Sequence, residues 1–142
     1  MRSASNCIIS PCRLSGVVRE TDFVARLGGD EFVIILPGIA SPGDAALVAS
    51  KIISALSMPI EAEGHELHTS PSIGISIFPD DGPDGDSILK NADTAMYSAK
   101  KSGKNRYALF SEDMNSDLRE HIEMESDLKD AIRANNQLTL EY

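Results

Sequence analysis

Two glycines and two acidic residues separate two β-prone runs early in the chain, and no other feature constrains the fold as strongly. The runs cover residues 23–27 and 32–36. Because glycine lets a backbone reverse tightly, residues 28–31 between them predict a β-hairpin that carries both acids at its tip. The tip suits a phosphate and a metal ion, since glycine admits a bulky anion and aspartate offers the oxygen ligand that Mg²⁺ prefers. A solvated turn without function is the simpler interpretation of the same residues.

Regular spacing of apolar residues predicts the remaining elements. Residues 44–56 and 86–101 have the period of amphipathic helices, and Gly103 ends the second one. Residues 67–78 and 106–110 have the composition of strands, and Pro71 inside the first indicates an edge, a bulge or a strand start. Residues 114–135 predict a long helix with one apolar face and dense charge around it. Such a helix is either a linker that meets a partner or a cap on its own domain.

Length and composition bound the class of protein. With 142 residues, of which 42% are hydrophobic, the chain suffices for one domain with a core. No apolar run approaches the roughly 20 residues of a membrane-spanning helix, and the N-terminal apolar stretch is too short for a secretory signal. We therefore expect a cytoplasmic protein. A formal net charge of −9 excludes a general nucleic-acid binder, because basic surfaces capture phosphate backbones.

Three blocks of sequence follow one another in a recognisable order. They read RETDFVARLGGDEFVIIL at 19–36, SIGISIFPDDG at 72–82 and ADTAMYSAKKSGKNRY at 92–107. Together they resemble the GGDEF family, the diguanylate cyclases that join two GTP molecules into cyclic di-GMP. The resemblance implies an α+β fold in which helices flank an antiparallel-rich sheet, a ferredoxin-like variant of the nucleotidyl cyclase type. It places this domain at residues 18–110.

The two ends of the chain differ from this central region. Residues 124–142, MESDLKDAIRANNQLTLEY, resemble the beginning of an EAL domain, the cyclic di-GMP phosphodiesterase module that often follows GGDEF. Residues 111–142 are therefore predicted to form a linker helix and the start of that domain. In the family, an upstream strand brings a second metal-binding Asp and a following helix holds the guanine, whereas no acidic residue precedes Arg19 here. The resemblance thus implies an N-terminally incomplete domain, with residues 1–17 as an irregular or divergent segment.

The resemblance also implies roles for the hairpin residues. Asp30 corresponds to the metal ligand, for Mg²⁺ or Mn²⁺, and to the group nearest the attacking 3′-hydroxyl. Glu31 supports the same catalytic site. Gly28 and Gly29 let the backbone contact the α-phosphate region of the bound GTP.

Five further residues match binding positions of the family. Lys100 and Lys104, four residues apart, would hold the triphosphate as point charges. Without the resemblance, they read as a solvated helix end that interacts with the helix dipole. Arg19 and Asp22 match the R-x-x-D motif of the inhibitory product site, for which Lys51 is the candidate second basic residue. As an unsupported pair, Arg19 and Asp22 would form an ordinary surface salt bridge.

Two functions follow from these matches. In the first, the chain is the cyclase module of a protein with GGDEF and EAL domains, and two protomers face each other so that each 3′-hydroxyl attacks the other GTP. This chain alone is then expected to be inactive, because one protein carboxylate under-equips the metal site. In the second, the chain is a catalytically incompetent module that binds cyclic di-GMP or GTP and regulates an attached EAL phosphodiesterase. The intact signature at residues 28–32 favours the first function.

Overall fold

The computed structural model describes residues 13, 14 and 16–134, and it confirms the predicted α+β class. The first four strands in chain order form two antiparallel pairs of consecutive strands, and the last two strands form a parallel pair. The predicted irregular N-terminal segment and the predicted start of a second domain fall largely outside the described residues. The elements in chain order are β1 (Phe23–Gly28), β2 (Glu31–Ile35), α1 (Pro42–Ser57), β3 (Ile60–Ala62), β4 (His65–Leu67), β5 (Ser72–Ile75), α2 (Gly85–Lys101), β6 (Arg106–Leu109) and α3 (Asp113–Ala134).

One face of β5 forms the apolar core with α1. Ile75 of β5 is buried and packs against Ala45 and Ala49 of α1. The two alanines are four residues apart and therefore lie on one helix face, as the predicted amphipathic spacing requires. Partly buried side chains from β5, from the residues just after it and from the segment after β2 complete this cluster: Leu36, Ile39, Ile73 and Ile77.

The opposite face of β5 lies directly against α2. A Cβ atom on Gly74 would stand 1.8 Å from the Ala92 carbonyl oxygen, so the strand and the helix meet backbone to backbone. On the same face, the Ser76 hydroxyl donates to the Ile88 carbonyl at 2.8 Å. Ser72 shares this face because side chains two apart point the same way, and its buried hydroxyl has no hydrogen-bond partner among the described residues. The β5–β6 pair is thus covered by α1 on one face and α2 on the other.

The close approach at Gly74 predicts a sharp contrast between two substitutions on the same strand face. Gly74→Ala forces the strand and helix apart, and we expect the free energy of unfolding to fall by about 3 kcal/mol. Ser72→Ala removes an unpartnered buried hydroxyl, so the free energy of unfolding should rise or change by no more than about 0.5 kcal/mol. Urea denaturation of the three chains measures both values. Equal stability of Gly74→Ala and the unchanged chain would contradict this packing.

Side-chain caps define where the two core helices begin. Before α1, the Asp44 carboxylate accepts hydrogen bonds from the backbone N–H groups of Ala40 and Ser41 at 3.0 and 2.9 Å. Before α2, the Asp84 carboxylate accepts from the Ser87 backbone N–H at 2.8 Å. This N-cap bond stabilises the charged form, and it lowers the pKa of the Asp84 carboxyl below its ordinary value.

The lowered pKa of Asp84 predicts a pH-dependent contribution to stability. The unfolded chain binds a proton at Asp84 more readily, so the contribution is present above the unfolded pKa and is lost as pH falls through the folded pKa. We expect Asp84→Ala to destabilise the chain at pH ~7, and its stability difference from the unchanged chain should shrink as the pH falls to ~2. Asp84→Asn keeps the cap acceptor but has no titrating group. The difference in unfolding free energy between Asp84→Asn and Asp84→Ala should therefore be the same at both pH values. Denaturant titrations at both pH values compare the three chains.

The strand predicted over residues 67–78 is wrong in its extent. Only Ser72–Ile75 of the predicted range forms β5, and Leu67 is the last residue of β4, which belongs to a different sheet. Pro71 stands immediately before β5, where its missing N–H costs no ladder bond. Beyond β5, the Asp81 carboxylate accepts from the Ile77 backbone N–H at 2.6 Å and shapes the turn towards α2.

The β3–β4 hairpin was not predicted from the sequence. Its turn residues, Glu63 and Gly64, both have positive φ, 51° and 80°, as the tight two-residue hairpin turn requires. The dipeptide Glu-Gly is a weaker signal than Asn-Gly or Asp-Gly, since glutamate seldom adopts positive φ. Each strand has only three residues, which leaves little alternation to detect.

The segment before the β1–β2 hairpin contacts the C-terminal end of α1. The Arg13 guanidinium donates to the carbonyl oxygens of Ala55, Met58 and Pro59 at 2.9–3.2 Å. Leu14 beside it is almost completely buried. A cation at a helix C-terminus also interacts favourably with the helix dipole. These contacts fix the chain just upstream of β1.

The long charged helix predicted over residues 114–135 is confirmed as α3, apart from Asn135, which lies outside the described residues. It docks on α2 through Tyr97, whose hydroxyl lies 3.0 Å from His121 Nδ1, with the two rings nearly perpendicular. Beyond this contact, Ile122 and Leu128 are 57% and 50% exposed. None of the described helices is long and apolar enough to span a bilayer.

Candidate nucleotide site at the hairpin tip

The predicted hairpin is confirmed, with a shorter turn than the sequence indicated. Arg26 pairs with Phe32 and Gly28 pairs with Glu31, so the turn itself consists only of Gly29 and Asp30. The register shifts between Arg26 and Gly28, which leaves one extra residue in β1 and forms a β-bulge. Gly29 has φ 55°, in the left-handed region where glycine has no Cβ penalty. The glycine pattern therefore serves a real backbone requirement.

Asp30 and Glu31 present their carboxylates to solvent at the end of the hairpin. Asp30 is the second turn residue and Glu31 is the first residue of β2, and both are exposed. Adjacent hard oxygen ligands on an open tip fit a cation that takes its other ligands from phosphate oxygens and water. Within the described part of the chain, no group of three or more acidic, histidine or cysteine side chains is placed to hold a metal ion without such help.

Arg26 binds the hairpin tip, a role that the sequence analysis missed. Its Nε and Nη2 atoms both donate to the Gly29 carbonyl oxygen, at 2.9 and 2.6 Å. The two N–H groups of one guanidinium edge thus converge on a single acceptor in the turn. An arginine three residues before the turn glycine was the available signal, but the bulge that brings the two together is not evident from spacing.

Lys100 and Lys104 both lie at the C-terminal end of α2. The helix closes with a bond from the Gly103 N–H to the Lys100 carbonyl at 3.3 Å and one from the Lys104 N–H to the Ala99 carbonyl at 3.2 Å. This Schellman arrangement requires positive φ at Gly103, which has 115°. Lys104 therefore stands just past the helix rather than on its face. Both lysines are exposed, and the negative end of the helix dipole favours them with or without a ligand.

Arg19 and Asp22 form a compact turn directly before β1. The Asp22 carboxylate accepts from the Arg19 backbone N–H at 2.7 Å, and the Asp22 N–H donates to the Arg19 carbonyl at 3.0 Å. The acid thus organises the backbone instead of forming a side-chain salt bridge. Lys51 is exposed on α1, and among the described residues no hydrogen bond or ion pair joins it to Arg19 or Asp22.

The sequence-predicted residues therefore fall into separate local groups. The hairpin tip holds four of them, the end of α2 holds two, and the turn before β1 holds another two, with Lys51 apart on α1. Across residues 16–134, no hydrogen bond or ion pair connects the tip with either lysine.

Comparison with known proteins agrees with the α+β fold of the described residues. The family model described as "Diguanylate cyclase, GGDEF domain" matches residues 11–106, more than half of the chain. Among solved structures, the isolated GGDEF domain of TpbB (YfiN) from Pseudomonas aeruginosa superposes with a TM-score of 0.73 at 38% identity. That superposition covers 76% of this chain and 63% of the TpbB chain. The fold and the family model thus agree.

Similar full-length proteins are much longer than this chain. The bifunctional diguanylate cyclase/cyclic di-GMP phosphodiesterase MucR of P. aeruginosa is 41% identical over 130 residues, which are 92% of this chain and 19% of MucR. The diguanylate cyclase TpbB of the same species is 42% identical over 93 residues, 65% of this chain and 21% of TpbB. The chain thus spans about a fifth of either relative, and it belongs to the GGDEF family of diguanylate cyclase domains.

Proposed function

We propose that this chain contributes the nucleotide-binding hairpin of a diguanylate cyclase, which condenses two GTP molecules into cyclic di-GMP and pyrophosphate. The observation that carries the proposal is the two-residue turn, in which left-handed Gly29 places the exposed Asp30 carboxylate at the outermost point of the hairpin. A turn of this shape admits a phosphate against its backbone and a cation against its carboxylate. The family membership supports the same chemistry.

Each residue of the tip would have a separate role in binding the metal and GTP. Asp30 ligates Mg²⁺ or Mn²⁺ together with phosphate oxygens and lies nearest the attacking 3′-hydroxyl, while Glu31 supports that site. The glycine backbone at Gly28 and Gly29 contacts the α-phosphate region. The bound cation would neutralise phosphate charge as the bond to the leaving pyrophosphate breaks. The contribution of the protein is therefore positioning and charge stabilisation, as in other phosphoryl transfers.

The lysines and a second protomer would complete the reaction. Lys100 and Lys104 bind the triphosphate as point charges from the end of α2. The Schellman turn fixes the backbone at both lysines. Each protomer holds one GTP, and a facing protomer brings the second, so that each 3′-hydroxyl attacks the other α-phosphorus. We propose residues 18–110 as this domain, with residues 111–142 as a linker helix and the start of an EAL domain in a cytoplasmic protein.

This chain on its own is expected to form no detectable cyclic di-GMP from GTP and Mg²⁺. The reason is that the tip offers only the adjacent pair Asp30 and Glu31, with no further acidic side chain placed beside them in the described region. Chromatography of the reaction mixture after prolonged incubation measures the product. Clear turnover that Asp30→Ala abolishes, and that the exposed helix variant Asp93→Ala retains, would contradict the expected inactivity and would place catalysis at the tip.

A regulatory function is the second candidate, and the turn before β1 favours it. The Arg19–Asp22 turn is held by two hydrogen bonds of its own, one accepted by the Asp22 carboxylate and one between backbone groups, so it keeps its shape independently of the hairpin tip. An arginine fork binds a guanine edge or a phosphate in a bidentate manner, and aspartate accepts from guanine N–H groups. In this function the module binds cyclic di-GMP through Arg19 and Asp22, with Lys51 assisting, and controls an attached EAL phosphodiesterase.

Cyclic di-GMP should bind the unchanged chain and lose at least about tenfold in affinity in Arg19→Ala, because a bidentate contact disappears. Asp22→Asn keeps an acceptor for the Arg19 N–H but loses the charge, so it separates the ligand contact from turn geometry. Arg119→Ala removes the same charge from exposed α3 and serves as the matched control. Isothermal calorimetry gives the affinities. Equal affinity in Arg19→Ala and Arg119→Ala would remove the inhibitory-site assignment.

A further inference from the structure

Arg26 connects strand β1 to the hairpin turn, and the proposed chemistry gives this side chain no role. Its side chain starts on β1, beside the bulge, and its Nε and Nη2 atoms reach the Gly29 carbonyl at 2.9 and 2.6 Å. We infer that Arg26 is a positioning residue, which fixes the turn peptide so that Asp30 is presented to the metal and nucleotide. The presentation of Asp30 to a nucleotide rests on the proposed function, whereas the contact between Arg26 and Gly29 does not.

The bond acts on one particular peptide unit. The Gly29 carbonyl and the Asp30 N–H belong to the same planar trans peptide, and they therefore point in opposite directions. Holding the carbonyl oxygen towards Arg26 turns the Asp30 N–H away from Arg26 and fixes the plane to which the Asp30 Cα is attached. One side-chain contact thus sets the direction of the Asp30 amide and the position of the Cα from which the Asp30 carboxylate projects.

The turn needs such a restraint because its own residues supply little. Gly28 and Gly29 have the widest range of backbone conformations of any residue type, and both are exposed. The bulge also interrupts the ladder between Arg26 and Gly28, so only the Gly28–Glu31 pair lies between this irregularity and the turn. The guanidinium is a charged donor, and charge-assisted hydrogen bonds are roughly twice as strong as neutral ones. Arg26 thereby replaces restraint that glycine and the bulge remove.

The shape of the guanidinium, and not only its charge, matters for this role. Arginine has a rigid planar fork, whereas lysine carries a compact ammonium on a flexible stem. Lysine at position 26 would keep the positive charge near the tip and lose the two-point contact with Gly29. Arg26→Lys therefore distinguishes a positioning role from simple electrostatic attraction of phosphate.

Backbone ¹⁵N relaxation on the full chain tests the restraint without requiring any ligand. In the unchanged chain, the Gly29 and Asp30 amides should show order parameters near those of rigid backbone, about 0.85, and in Arg26→Lys they should fall below about 0.6. Arg106→Lys is the matched control, since Arg106 also donates from Nε to a backbone carbonyl, that of Lys104, at 3.3 Å. Equal order at Gly29 and Asp30 in Arg26→Lys and Arg106→Lys would overturn the inference.

Titration with Mn²⁺–GTP tests the consequence for binding. We expect paramagnetic broadening at Asp30 in the unchanged chain, and an apparent Kd about tenfold higher in Arg26→Lys, with an unchanged urea midpoint. If Arg26→Lys lowers the order parameters at the tip but binds Mn²⁺–GTP as tightly as the unchanged chain, the positioning role is contradicted. If the unchanged chain shows no broadening, the proposed nucleotide site fails, while the relaxation experiment still decides the role of Arg26.

Discussion

The contact between β5 and α2 supports the rest of the described domain. At Gly74 the strand approaches the helix so closely that no side chain fits, and the buried hydrogen bond from Ser76 reinforces the contact. A helix held at backbone distance cannot shift or rotate without losing packing along its length. The ends of α2 are therefore fixed relative to the sheet, and these ends carry the Asp84 cap at one side and Lys100 with Lys104 at the other.

The hairpin depends on different and weaker support. β1 and β2 pair only with each other among the described strands; β1 is exposed throughout, and β2 is only partly buried. Leu36 and Ile39 join the end of β2 to the core, and the Arg13 contacts with α1 fix the chain before β1. The two halves of the proposed site thus differ in rigidity: the lysine half rests on the core, whereas the acidic half relies on local contacts such as that of Arg26.

The sequence predicted those parts of the fold that have strong local signals. The hairpin, α1, α2 and α3 follow from glycine placement and from the helical period, and their bounds agree within about two residues. The strand over 67–78 was overextended at its C-terminal end because residues 76–78, Ser-Ile-Phe, continue the composition of β5 although the pairing with β6 ends at Ile75. The grouping of site residues was only partly predictable: the acids of the tip are adjacent in sequence, but the backbone role of Asp22 and the reach of Arg26 depend on three-dimensional geometry.

The anchoring of α3 gives the rest of this helix a defined angular relation to the domain. Tyr97 and His121 hold the first half of the helix, and the helix then continues to Ala134, with residues 122–130 exposed. Because each helical residue advances by about 1.5 Å and rotates by about 100°, the direction of every later side chain is set by its count from the anchor. Insertion of a single residue after His121 would therefore swing all subsequent side chains around the axis, whereas insertion of seven would nearly restore their direction.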